Sequence, residues 1–125
     1  MAQIVRGPSG EKVGYYELVE EEWLSREQGF MTSVRWLIRE DDGAKNYVMR
    51  LFTIKPGGYI RAHSHPWEHE IYVVDGVGEI RIGDRVYRVT KGFFIYIPPD
   101  VEHEYWNNGD KDLVFICVIP VVKKK

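Results

Sequence analysis

Gly57-Gly58-Tyr59-Ile60-Arg61-Ala62-His63-Ser64-His65-Pro66-Trp67-Glu68-His69-Glu70 is the stretch on which the reading of this chain turns. Three of the protein's four histidines fall within its residues 63–69, and the fourth, His103, follows a second turn-rich stretch. Imidazole is the commonest side-chain metal ligand, so the clustering predicts a metal site. His63 and His65 are two residues apart and share one face if they lie on a strand. His69 follows across Pro66-Trp67-Glu68, a bend able to re-aim the chain. A lone histidine is ordinarily a surface or hydrogen-bonded core residue, and His-x-His recurs in many strands. Three histidines so close together, with a fourth after a matching turn, form a stronger pattern.

Outward from this stretch the apolar residues repeat every second position. Val34, Trp36 and Ile38 share a face opposite Arg35 and Arg39, as on a half-buried strand. Glu40-Asp41-Asp42-Gly43 reads as a turn. Tyr47 to Ile54 reads as a strand stopped by Pro56-Gly57-Gly58, and Tyr59 to His65 as another stopped by Pro66. Further strands follow at His69 to Val74, Glu79 to Ile82, Arg85 to Val89, Phe93 to Ile97, Glu102 to Asn107 and Leu113 to Val122. About nine short strands joined by glycine and proline turns predict an all-β sandwich or barrel. Residues 1–31 are less regular and read as a peripheral N-terminal arm. Val13 to Val19 could form a short strand there, and Glu20 to Leu24 a helical turn or a continued extended segment. Tyr15, Tyr16, Trp23 and Leu24 give the arm too much apolar surface to leave bare, which predicts a homodimer with each arm on the partner's sheet.

At 125 residues the chain predicts a single domain, 1–125, able to bury a real core. Its 17 basic and 19 acidic residues give a net charge of -2, which leaves no footprint for nucleic acid or an anionic membrane. Lys123-Lys124-Lys125 reads as a solvated tail. The one cysteine, Cys117, excludes an internal disulfide framework and fits a reducing compartment. With no signal-peptide pattern and no apolar run of membrane length, a cytoplasmic location is expected. Abundant charge with few Asn and Gln points toward a thermophilic source.

Two motifs carry a family resemblance. Gly57, five residues, His63-Ser64-His65, then His69 or Glu70, and finally Gly76 resembles the first motif of the cupins. Gly92, five residues, Pro98-Pro99-Asp100, two residues, His103, three residues and Asn107 resembles the second. Asp100 stands where that motif has glycine, and Asp tolerates the left-handed backbone better than most residues. The resemblance implies a jelly-roll β-barrel (a double-stranded β-helix) with its core over about residues 47–121. The segments Val48 to Thr53 and His63 to Ile71 further resemble small single-domain manganese cupins from thermophilic bacteria, in which four histidines hold the metal.

For this chain the resemblance implies His63, His65, His69 and His103 as ligands. A set with Glu70 in place of His69 stays open, because residues 69 and 70 alternate across a regular strand and the flanking residues are apolar on both faces. Mn2+ is expected first and Fe2+ second, with Zn2+, Ni2+ or Cu2+ also compatible with nitrogen donors. Four neutral imidazoles leave the ion its full charge, and on an octahedral ion two positions stay open. Tyr105, Phe115 and Cys117 are expected to line the pocket, along with Ile71, Val73 and Ile119 at the ligands' parity. No separate general base or nucleophile stands out, so chemistry is expected at the metal. The expected activity is a metal-dependent, dioxygenase-type oxidoreductase acting on a small organic molecule. The alternatives are a non-catalytic binding or sensing cupin and a cupin isomerase or epimerase. Protons compete with metal for imidazole, so retention is expected to fall as pH drops through roughly 6.5.

Overall fold

The computed structural model describes residues 3–122. The Lys123-Lys124-Lys125 tail lies outside the described residues. The chain is built from strands: β1 (Ile4–Arg6), β2 (Lys12–Gly14), β3 (Glu22–Trp23), β4 (Gly29–Ile38), β5 (Tyr47–His63), β6 (His69–Asp75), β7 (Val77–Ile82), β8 (Arg85–Thr90), β9 (Phe94–Ile97), β10 (His103–Trp106) and β11 (Leu113–Pro120). Two single 3-10 turns, Tyr16–Leu18 and Glu40–Asp42, are the helical elements among the described residues. None of them is long and apolar enough to cross a membrane.

One sheet dominates, with strand order β8-β7-β10-β5-β11-β6-β9 and with β4 and β3 attached beside β5. All its pairings are antiparallel. Val34, Phe52, Ile71, Ile80, Val89, Ile97, Tyr105 and Phe115, from eight different strands, share one buried cluster. A flat sheet could not bring them together, so the sheet is curled on itself and its inner face is the core. On β11 the residues alternate cleanly between buried and half-buried, although nearly all are apolar. Ile54, Ile97 and Val73 have almost no exposed surface.

The longest strand departs from expectation. Pro56-Gly57-Gly58 does not end a strand; β5 runs through it for 17 residues. The reason lies in its neighbours. One edge of β5 pairs first with β11, over Tyr47–Ile54, and then with β10, from Tyr59 to His63. The proline, which has no N–H to give a ladder, sits where one partner is exchanged for the other. Gly57 takes φ +84 there, and its N–H donates to the Asn107 carbonyl. A Cβ on Gly58 would lie 2.7 Å from the Phe30 carbonyl oxygen. Strand and turn signals are therefore both present, but the turn residues bend a strand instead of stopping it.

β4 begins at Gly29, before the expected Thr32. Its register shifts between Phe30 and Thr32, with Met31 at φ +52, and again between Trp36 and Ile38. The second shift is why Ile38 does not stay on the face of Val34 and Trp36 and is exposed instead. In the arm, the strand expected over Val13 to Val19 ends at Gly14 and gives way to the 3-10 turn. Glu22 and Trp23 are extended, not a helical turn, and pair with Val34 and Ser33.

The arm is fastened to its own sheet. Arg6 and Lys12 reach Asp42 at 2.6 and 3.0 Å, and the Arg35 guanidinium donates to the carbonyls of Glu17 and Val19. Burial pushes the Asp42 carboxyl pKa up. The Arg39 backbone N–H and the Arg6 and Lys12 side chains outweigh this and hold it at about 2. Tyr15, Tyr16, Leu18 and Trp23 remain exposed on the docked arm.

Candidate functional site

The four histidines come from three places on the sheet and meet at one end of its inner face. His63 is the last residue of β5 and lies opposite His103, the first residue of β10. His69 opens β6. His65 lies past the end of β5, so strand parity does not place it. Its ring stacks on Trp67 at 4.5 Å, 5° from parallel, and its carbonyl accepts a 2.7 Å bond from the Asp100 N–H. That bond ties the His65 loop to the turn before His103. Asp100 takes φ +66, the left-handed conformation expected of the residue that replaces glycine.

Burial shows which of residues 69 and 70 faces inward. His69 is 3 % exposed and Glu70 faces out on the opposite side of β6. Across the ladder Glu70 pairs with Tyr96.

Ring centroids are 4.4 Å apart for His63 and His103, and 4.8 Å for both His63–His65 and His69–His103. They are 5.3 Å apart for His65 and His69, and 6.3 Å for His65 and His103. A ligating ring places its centroid about 3.2 Å from a first-row ion, so two rings sharing one ion lie at most about 6.4 Å apart. All five pairs satisfy that limit. His63 Nδ1 lies 2.7 Å from the Arg61 carbonyl and His103 Nδ1 2.9 Å from that of Val101. A proton on each Nδ1 would serve those bonds and leave each Nε2 as a lone-pair donor. His103 Nε2 and His69 Nδ1 are buried without a partner, as expected of nitrogens that take an ion. Among the described residues no three His, Cys, Asp or Glu side chains already stand as a finished metal cage. Each ring thus lies within that limit of at least two others, in the two sets His63–His65–His103 and His65–His69–His103. In chemistry, imidazole nitrogens left without a partner are the donors a divalent first-row ion takes.

Burial above all keeps His65, His69 and His103 in the neutral form. Burial, and then the neighbouring imidazoles and Arg50, hold His65 at a pKa of about 4 and His69 at about 3. His103 is also lowered, chiefly by burial. Neutral imidazole is the form that binds metal.

Beside the rings lies a cavity of about 460 Å³. Tyr105, Phe115 and Cys117 all line it, with His63, His65 and His69. Phe115 stacks between Tyr105 and Phe52, with both centroid separations 5.2 Å. Burial raises the Tyr105 phenol well above its usual range and raises the Cys117 thiol as well. Neither is therefore a ready base or nucleophile at neutral pH. Glu104 is turned away and paired with Arg81 at 2.6 Å. Ile71, Val73 and Ile119 belong to the packed core.

Sequence reasoning missed Arg50, Trp36 and Phe52, which line the same cavity. The signal was available: Arg50 shares the parity of Val48, Phe52 and Ile54, so a cation sits on an inward face. Asn107, the last residue of the second motif, holds structure instead of ligand. Its side-chain NH2 donates to the carbonyls of Ile54 and Lys111, and its oxygen accepts from Gly109.

Comparison with known proteins agrees with this architecture. Protein SchB of Streptomyces halstedii is 36% identical over 76 residues, which cover 58% of this chain and 55% of SchB. Oxalate decarboxylase OxdC of Bacillus subtilis is 30% identical over 125 residues, covering 90% of this chain but 31% of that protein. The chain thus spans about half or less of the length of these curated relatives. The 1.2 Å structure of the polyketide cyclase RemF from Streptomyces resistomycificus superposes with a TM-score of 0.81 at 30% identity, over 89% of this chain and 80% of RemF. The fold is the jelly-roll barrel that the two motifs implied. The family model for the Cupin domain matches residues 50–119, more than half of the sequence, and the chain belongs to the cupin family.

Proposed function

We propose that this cupin is a metal-dependent enzyme acting on a small organic molecule, with dioxygenase-type oxidoreduction as its chemistry. The observation that supports this reading is the gathering of four imidazoles, each within one ion's reach of at least two others and two of them carrying orphaned buried nitrogens, beside an aromatic-lined cavity. His63, His65, His69 and His103 would hold the ion, with manganese first in expectation and iron second. Such an ion supplies Lewis acidity and, as manganese or iron, one-electron chemistry with dioxygen. The chain's own residues bind and exclude. Phe52, Phe115 and Tyr105 form the apolar wall that shapes the cavity and displaces water. The Val101 and Arg61 carbonyls orient the His103 and His63 rings. Trp67 fixes the His65 ring by stacking.

A second reading is a non-redox enzyme of the same site, a lyase or cyclase. The names of two relatives, an oxalate decarboxylase and a polyketide cyclase, favour it. An isomerase is less favoured, because Glu104 is paired outward and the Tyr105 phenol is held protonated.

Elemental analysis of protein purified without chelator, followed by oxygen uptake over a substrate panel, tests the proposal. About one manganese or iron per chain is expected, lost in His69→Leu and kept in Glu70→Gln, together with substrate-dependent oxygen uptake. Metal-loaded protein that turns over panel members without consuming oxygen would favour the lyase or cyclase reading. Protein that takes up no metal would overturn both. We further propose that two copies pair through the exposed Tyr15, Tyr16, Leu18 and Trp23 of the arm. Light scattering at micromolar concentration should give the dimer mass, and a monomer mass would refute it.

A further inference from the structure

Beyond the histidines, Arg50 lines the cavity with its donors largely unspent. Its Nη2 donates to Cys117 Sγ at 3.2 Å, a weak acceptor, and its buried Nε has no partner. Among the described residues no carboxylate pairs with it, whereas Arg6 and Arg35 each pair with one and Arg81 with two. Its guanidinium carbon lies 4.9 Å from the Phe52 ring centroid and 5.5 Å from that of Trp36. Cation–π contact offsets part of the cost of holding a charge there, but it satisfies no N–H donor. An inward-facing guanidinium without a counter-charge costs stability unless something else supplies the charge.

Register places this cation relative to the histidines. Arg50 pairs with Cys117 on β11, and Cys117 pairs with Ile71 on β6. His69 lies two residues from Ile71, on the same buried face. Two strand spacings and one pleat repeat separate the Arg50 and His69 backbones by about 12 Å. Both side chains line the same cavity and reach into that gap. The stack of Phe52, Phe115 and Tyr105 starts under the Arg50 guanidinium and ends against the His103 ring, 5.7 Å from that of Tyr105. Glu22 and Glu27 also line the cavity but are exposed at its mouth, as is Arg61, so their charges are screened by solvent.

We propose that Arg50 anchors the carboxylate of a small monocarboxylate ligand, whose apolar body, no larger than one or two rings, lies along the aromatic wall toward the histidines. The guanidinium fork matches a carboxylate's two oxygens, and such charge-assisted pairs are the strong ones. The proposal rests on reading the cavity as the ligand site and names the substrate class of that site. It does not depend on which metal the histidines hold.

Calorimetric titration with benzoate, and with benzamide as its uncharged counterpart, tests it. Wild type should bind benzoate at least about tenfold more tightly than benzamide, with chelator present as well as with manganese loaded. Arg50→Leu removes a half-buried charge without creating a new polar orphan, so it should fold, and its preference for benzoate should vanish. Arg50→Lys keeps the charge but loses the fork, and should retain a reduced preference. Equal binding of benzoate and benzamide by wild type would overturn the proposal, as would a preference that survives Arg50→Leu. Benzoate binding that appears only with manganese and ignores Arg50→Leu would place the carboxylate on the ion, also against it. Protein that takes up no metal yet prefers benzoate through Arg50 would refute the proposed function while sustaining this inference.

Discussion

Metal-stripped protein should lose stability as pH falls from 7 to 5, and the loss should come from the buried histidines. An unfolded chain takes up a proton on each histidine near pH 6.5. In the folded protein burial first, and then the charge of neighbouring imidazoles and Arg50, hold His65 at about 4 and His69 at about 3. The folded values lie below the unfolded one, so below pH 6.5 the unfolded state binds more protons and stability falls with pH. At pH 5 each residue alone would account for at most about 2 kcal/mol. His65 keeps partial solvent access and the two rings act on each other, so the pair should contribute about 2–3 kcal/mol. In a chain of this size that lowers the melting temperature by roughly 10 °C. Asp42 does not confuse the measurement. Its folded value is lowered to about 2, so its stabilisation is present above the usual carboxylate range and is lost progressively as pH falls from about 4 through about 2, below the range measured. Calorimetric and urea melts at pH 7, 6 and 5 in chelator, on wild type and His69→Leu, give the answer. The substitution should flatten the pH dependence by about half. A wild-type curve flat between pH 7 and 5, or an unchanged slope in His69→Leu, would refute the reasoning. The same shifts bear on the acid limit expected of the proposed metal site. His65 and His69 stay unprotonated well below pH 6.5, so proton competition at these two ligands should set in only as pH approaches about 4.

Asp42→Asn should loosen the arm at a cost of about 1–2 kcal/mol and expose the bonds after Arg6 and Lys12 to trypsin, which mass spectrometry of limited digests would detect. Unchanged cleavage would mean that the arm is held by something other than Asp42. Asp100→Gly should leave thermal stability within about 0.5 kcal/mol, because glycine accepts φ +66 freely. Asp100→Val should cost about 1–2 kcal/mol and also weaken metal retention, because the Asp100 N–H holds the His65 loop. Equal melting temperatures for the two variants would count against this account of the turn.

The strand pattern in the sequence determined the all-β class, since period-two apolar residues can bury one face only on a sheet. Histidine clustering and the two motifs with their fixed spacings determined the ligand candidates and the family expectation, because those are properties of order along the chain. Where both faces of a strand are apolar, order says nothing about which face is inward. His69 and Glu70 are such a case, and only the pairing of β6 with β9 and β11 turned His69 in and Glu70 out. Pro56-Gly57-Gly58 reads as a stop, because a proline and two glycines break a ladder when only one partner is in view. The exchange of β11 for β10 along one edge lets β5 continue, and that exchange is a fact of tertiary neighbours. His65 owes its place to the Trp67 ring and the Asp100 N–H instead of to strand parity. Arg50 is plain in the sequence as a cation between apolar residues. Its lack of a carboxylate could be known only once every strand facing the cavity had been placed, because a charge partner can come from anywhere in the chain.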